Sequence, residues 1–367
     1  MVFGPLKLII MLPIAFLWHV ALAAETIGLP PVPIPSNNAQ TPQKIALGKA
    51  LFTDRRLSAD GSVSCSHCHR PNHTFADGLS IARGVSGLKG LRNAPTLVNA
   101  VFYTSFFHDG RRASLEEQAS DPFVTPFEHG LKNHQHVLSV IAKDPTYPDS
   151  FKKVFGVSVK EINIEHVTKA IASFERTLIS GNSAFDRYQY GGEKQAMSAS
   201  EIRGMRVFRR KGNCGNCHEI GWKSALFTDN LFYNLGVGYE RLKPIFSILM
   251  KELKISMEEN RPPDYSMLRE AQRSELGRFN VTHVLSDLGR FKTPTLRNIA
   301  VTGPYMHDGS LKTLEEVVEF YDKGGVINPR LDGGIFPLKL TEQEETDLLA
   351  FLRALTSPEF AYVPAFP

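Results

Sequence analysis

Apolar positions return every three or four residues along several stretches of this chain, the period of a helix with one buried face. Thr41-Pro42 opens a run carrying Ile45, Leu47 and Leu51, and Ser198-x-x-Glu201 is a capping box ahead of Ile202, Met205 and Phe208. From Ile164 to Ile179 the residues Val167, Ile171, Phe174 and Leu178 share one face. Thr313-x-x-Glu316 caps a short helix with Val317, Phe320 and Tyr321, and Thr341-x-x-Glu344 caps a terminal one with Leu348, Leu352 and Leu355. Strand-like runs are few, so the pattern predicts an all-α fold. The stretch from Ser180 to Ala199, with Gly191-Gly192, reads as a linker.

A length of 367 residues favours two domains, each large enough for its own core. With 42% hydrophobic and 22% charged residues the composition is that of an ordinary globular protein, which sets aside disordered, collagen-like and disulfide-dense chains. The net charge is +4 with no basic run, so no nucleic-acid partner is expected. Lys7 precedes an apolar stretch from Leu8 to Leu22, broken by Pro13 and His19 and closed by Ala21-Leu22-Ala23. That is the layout of a secretory signal peptide over residues 1–23. Periplasmic localisation is expected, with no membrane span once the signal is removed.

In an oxidising compartment four cysteines allow two disulfides, but their spacing points elsewhere. Cys65-Ser66-His67-Cys68-His69 and Cys214-Gly215-Asn216-Cys217-His218 are both C-x-x-C-H, the attachment signature of a c-type haem. Two thiols three residues apart reach the two haem vinyl groups from one side of a turn, and the adjoining imidazole reaches the iron. A zinc site or a thioredoxin-like motif would not need His after both pairs. Cys65, Cys68 and His69, and Cys214, Cys217 and His218, are therefore the expected sites of two covalent haems. His67 and His73 read as exposed loop histidines.

The chain repeats itself. Pro95-Thr96-Leu97-x-Asn99 and Pro294-Thr295-Leu296-x-Asn298, His108-Asp109-Gly110 and His307-Asp308-Gly309, and Leu115-Glu116-Glu117 and Leu314-Glu315-Glu316 are all 199 residues apart. This constant offset predicts two tandem cytochrome c-like domains, 24–185 and 186–367. The haem motifs are only 149 apart, so the second domain carries 50 extra residues, between Leu226 and Arg290. The polar segment Lys251 to Asp264 makes that stretch read as a surface insertion.

The order of C-x-x-C-H, Arg92-Asn93-Ala94-Pro95-Thr96, Phe106-Phe107-His108-Asp109-Gly110-Arg111, Leu115-Glu116-Glu117-Gln118-Ala119, C-x-x-C-H and Pro304-Tyr305-Met306-His307-Asp308-Gly309 resembles the di-haem bacterial cytochrome c peroxidases, including MauG-like proteins. The resemblance implies that the N-terminal haem reacts with peroxide beneath a glutamate twenty residues past His108, which is Glu128, with Gln118 in the same distal pocket. It implies an iron ligand fourteen residues past His307, where ordinary peroxidases have Met and MauG-like members Tyr; this chain has Tyr321, with Met306 as the alternative ligand. It also implies one calcium ion between the domains, on the Asn93 side chain and the carbonyls of Thr302 and Pro304. Tyrosinate favours oxidised iron, a thioether raises the potential, and hard oxygen donors suit calcium.

Three positions depart from that pattern. Sixteen residues past His69, where many of these peroxidases have a distal histidine, stands Val85, so the first haem is expected to be open without prior reduction. The family's inter-haem Trp is His108, which reads as a polar bridge and leaves charge transfer to direct tunnelling or to Tyr103 or Phe107. MauG's Trp six residues before the second haem His is Gly212. The leading expectation is reduction of hydrogen peroxide with electrons from a small cytochrome c or cupredoxin. The alternatives are MauG-like oxidation of a protein side chain, as in quinone cofactor maturation, and a non-enzymatic di-haem electron carrier.

Overall fold

The helix at Pro42–Thr53 starts where Thr41 accepts a bond from the Lys44 amide and Pro42 fixes the first turn, and it packs against the helix Ile164–Glu175. A second pair repeats this arrangement with Ala199–Arg209 against Glu342–Arg353, each begun by a complete capping box. Both crossings require glycine. A Cβ on Gly48 would fall 1.9 Å from the Ala170 carbonyl oxygen, and one on Gly204 would fall 1.9 Å from that of Asp347. These contacts and the folding that follows are seen in a computed structural model, which describes residues 26–362; the secretory segment expected at 1–23 lies outside the described residues.

Each pair organises a core. Leu51, Phe52, Phe123, Phe151 and Ile171 are buried in the first, and Phe185, Phe208, Phe227 and Phe351 in the second. Rings there meet edge to face, as Phe208 and Phe351 do at 5.2 Å between centroids. The duplication extends to single bonds. Asn99 and Asn298 both take left-handed backbone, and their amides donate to the Leu178 and Leu355 carbonyls at 2.8 and 3.1 Å. The stretch expected to be a linker contains the helix Ala184–Gln189, whose Phe185 is buried in the second core and whose Asp186 forms a buried two-pronged ion pair with Arg297. Few residues are extended: Phe232–Tyr233 pairs antiparallel with Phe291–Lys292, in a register that sets Phe232 opposite Lys292.

The insertion is not simply a surface feature. Residues from Leu242 to Leu288 bury their own cluster of Leu242, Leu249, Leu253, Leu276 and Phe279. The helix Phe246–Glu258 keeps its polar face in solvent, as the composition of Lys251 to Asp264 suggests, but Ser274 and Glu275 turn inward. Glu275 accepts a bond from His307 at 2.8 Å, and Ser274 receives two bonds from the Arg92 guanidinium. The insertion thus locks the His-Asp-Gly block of the second repeat and walls part of the cavity described next.

Candidate active site

A cavity of about 570 Å³ opens between the first core, the junction of the two repeats and the insertion. Its walls include Cys65, Cys68 and His69 together with His108, Gln118 and Glu128. The two thiols stand on the single helical turn Cys65–Cys68, and none of the four cysteines is in a disulfide. Nδ1 of His69 donates to the Phe75 carbonyl at 3.1 Å, which fixes the ring and the tautomer that makes Nε2 the candidate ligating nitrogen. Burial lowers this imidazole to about 4, so it is held neutral, as an iron ligand must be. Volume, paired thiols and an oriented neutral imidazole fit a covalently attached haem.

Glu128 ends the turn Thr125–Glu128, and its amide donates to the Thr125 carbonyl at 3.0 Å. Burial raises its carboxyl from 4.5 to about 7 against the charge of Arg111. The neighbouring strand of chain holds it from behind: the Val85 amide donates to the Glu128 carbonyl at 2.9 Å, and a Cβ on Gly84 would lie 2.1 Å from the Phe127 carbonyl oxygen. Val85 itself is buried and packs beside Gly130. His67 and His73, expected in exposed loops, are half-buried, the first on the thiol turn itself and the second in the short turn Pro71–His73 that follows it.

The second C-x-x-C-H forms a tighter turn at Cys214–Asn216, and Nδ1 of His218 donates to the Phe227 carbonyl at 2.9 Å, the counterpart of the His69 bond. Tyr321 lies on the helix Leu314–Asp322. Burial raises its phenol above the usual range, with the charges of Cys214 and Cys217 as the next contributors, so the ring sits within electrostatic reach of both thiols. The internal repeat agrees: Pro122, 199 residues earlier, lines the first cavity. Met306 corresponds in the same way to Phe107, another wall residue, so register alone brings both candidates to the second site.

Of the residues expected to hold calcium, Asn93 is carried to the 302–307 segment by its amide, which donates to the His307 carbonyl at 2.9 Å. Its side-chain nitrogen donates to the Leu79 carbonyl at 2.7 Å. His108 lines the first cavity with Nε2 on the Asn93 carbonyl at 3.1 Å; burial, then Arg92 and His307, lower it to about 3, so it stays neutral. Tyr103 and Phe107 line the same cavity.

Two wall residues escaped the sequence reading. Glu175 ends the helix Ile164–Glu175; it is buried, its Oε2 has no partner, and burial raises it to about 8. Its place four residues after Ile171, on the apolar face, was the available signal. Lys292 comes from the second repeat, and its amide donates to the His108 carbonyl at 2.8 Å. No local pattern marks it.

A duplicated helical frame with a C-x-x-C-H turn in each half, one of them lining a large cavity that the half-buried Glu128 also lines, matches the architecture of a c-type cytochrome. The chain belongs to the di-haem cytochrome c peroxidase family, whose model matches residues 42–195. Cytochrome-c peroxidase IdrP1 of Pseudomonas sp. (strain SCT) is 38% identical over 338 residues, covering 90% of this chain and 85% of that protein. Methylamine utilization protein MauG of Methylorubrum extorquens is 38% identical over 339 residues, covering 92% and 85%. Among solved structures, a MauG-like protein associated with microbial copper homeostasis superposes with a TM-score of 0.73 at 30% identity, covering 95% of this chain and 99% of that one. The chain is accordingly an oxidoreductase of the cytochrome-c peroxidase type, and its family implies two c-type haems.

Proposed function

We propose that this protein is a periplasmic di-haem peroxidase that reduces hydrogen peroxide to water, taking two electrons and two protons per peroxide. Residues 24–185 form the peroxide-reacting unit and 186–367 the electron-entry unit, with a small cytochrome c or cupredoxin as donor. The observation that carries the reading is Glu128, a half-buried carboxyl held near 7 in the cavity that also contains His69.

The haem attached to Cys65 and Cys68 supplies, when bound, the iron that activates peroxide and accepts electrons. Glu128 takes a proton from the oxygen of peroxide nearer His69 and returns it to the departing oxygen, so that water leaves rather than hydroxide. Gln118 on the same wall orients the peroxide by hydrogen bonding. His69 and His218 would each ligate the iron of the haem attached beside them, and Tyr321 rather than Met306 would supply a further ligand at the second haem. Asn93, Thr302 and Pro304 would hold calcium through oxygen atoms alone, a donor set suited to that ion.

MauG-like oxidation of a protein side chain is the second reading. Tyr321 favours it, while His108 and Gly212 replace the two tryptophans on which that chemistry relies. A simple electron carrier leaves the half-buried Glu128, with its raised titration, without a use. Purified holoprotein, with two haems per chain by pyridine haemochrome, should consume peroxide when supplied with a reduced small cytochrome. Full haem content with no peroxide consumption would overturn the peroxidase reading.

A further inference from the structure

We infer that Lys292, carried by the second half of the chain, supplies the cation that pairs with a propionate of the haem held in the first cavity. This rests on the reading that the cavity is a haem site. Five basic residues line it, and four are accounted for. Arg83 and Arg273 are exposed, and Arg92 and Arg111 are both engaged by Asp109, at 2.9 and 3.2 Å. Lys292 differs. Its ammonium lies 3.7 Å from the centre of the Tyr103 ring and donates to the Ser105 carbonyl, and among the described residues it has no carboxylate within ion-pair distance.

A cation taken out of water without an anion is costly. Lys292 is half-buried, and its desolvation lowers the ammonium to about 7, opposed only by Asp109, whose carboxylate already serves two guanidinium groups. A haem brings two carboxylates, on the edge opposite the vinyl groups that bond to cysteine. Cys65 packs against the first core, whereas Lys292 sits over Tyr103 and Phe106, which belong to a separate apolar cluster at the junction of the repeats. The cysteines and the lysine thus line one cavity from different packed clusters.

The consequence is a link between the halves. Lys292 sits beside Phe291, which stacks on His307 at 3.6 Å, and its amide holds the His108 carbonyl. A propionate bound there ties the first haem to the second repeat. It also places a positive charge near the first iron, favouring the reduced form.

The test is a redox titration of holoprotein carrying Lys292→Gln, with resonance Raman of the propionate-bending bands. The first haem's midpoint should fall and its propionate band should shift, while the second haem keeps its midpoint. An unmoved midpoint and band with both haems present overturns the inference alone, whereas a missing first haem in wild-type protein overturns the cavity reading beneath it. If Lys292→Gln does not accumulate, Lys292→Arg should keep the midpoint near wild type and still shift the band, and an unshifted band overturns the proposal.

Discussion

Ser180 and Ser357 meet hydroxyl to hydroxyl at 2.6 Å in the interior, each just beyond the second helix of its repeat. Their amides donate to equivalent asparagines, Asn99 at 2.9 Å and Asn298 at 2.8 Å, so the duplication closes on itself at this pair. Asn298 also donates to the Ser180 hydroxyl at 3.0 Å. Replacing Ser180 by Ala strands two buried groups and Ser357→Ala one. Urea unfolding of the holoproteins should show a loss of about 1 kcal/mol for Ser357→Ala and a clearly larger one for Ser180→Ala; equal losses would contradict the bonding described.

Glu128→Gln should retain both haems and lose peroxide reactivity by about 10²–10⁴-fold, the range for a general acid–base group. In the wild type the rate constant for peroxide should rise with pH through about 7, because the first step needs the carboxylate and burial has raised its titration to that value. Stopped-flow mixing with peroxide measures both. A pH-independent wild type, or a Gln variant of normal rate, would remove Glu128 from the chemistry.

Gly84→Ala should act on the same step without touching a reacting group. The new methyl carbon would fall 2.1 Å from the Phe127 carbonyl oxygen and 2.6 Å from Glu128 Cα, and both are backbone atoms. The turn must move, and Glu128 with it. Peroxide reactivity should fall with haem content intact, and a further Glu128→Gln change should then cost less than it does alone, as expected for coupled neighbours.

Tyr321→Phe should change the absorption spectrum and potential of the second haem, while Met306→Leu leaves them nearly unaltered. Phe preserves the ring contact with Phe320, at 5.5 Å between centroids, so a spectral change reports the lost oxygen rather than lost packing. The opposite pattern would make Met306 the ligand.

Glu175 has a folded titration raised by burial from 4.5 to about 8. The unfolded chain releases this proton first, so the group's effect on stability is neutral below about 4.5 and grows unfavourable as pH climbs to about 8. Glu175→Gln should abolish that part of the pH dependence. Glu175→Leu copies Leu352, its counterpart in the other helix pair, and should stabilise the protein by about 1–3 kcal/mol by removing a buried acceptor without a partner. A loss of stability in the Leu variant would mean that the carboxyl is satisfied in the holoprotein.

Much of this protein is legible in its order of residues. Cysteine and histidine spacing identifies both attachment turns because the geometry involved is confined to five consecutive residues. Capping boxes at Ser198 and Thr341 mark their helices for the same local reason, and the constant offset between repeats needs only comparison of the chain with itself. Tertiary structure alone decided which polar groups lost their water. Glu175 looks like any charged residue at a helix end until the thiol turn and Ile171 close around it. Lys292 is an ordinary lysine between Phe291 and Thr293 until a two-residue strand carries it across to His108. The insertion reads as solvated because most of it is, yet Ser274 and Glu275 are fixed by Arg92, His307 and Arg241, residues from 32 to 182 positions away. Burial and pairing across such separations depend on how the segments pack, which the local pattern of side chains does not encode.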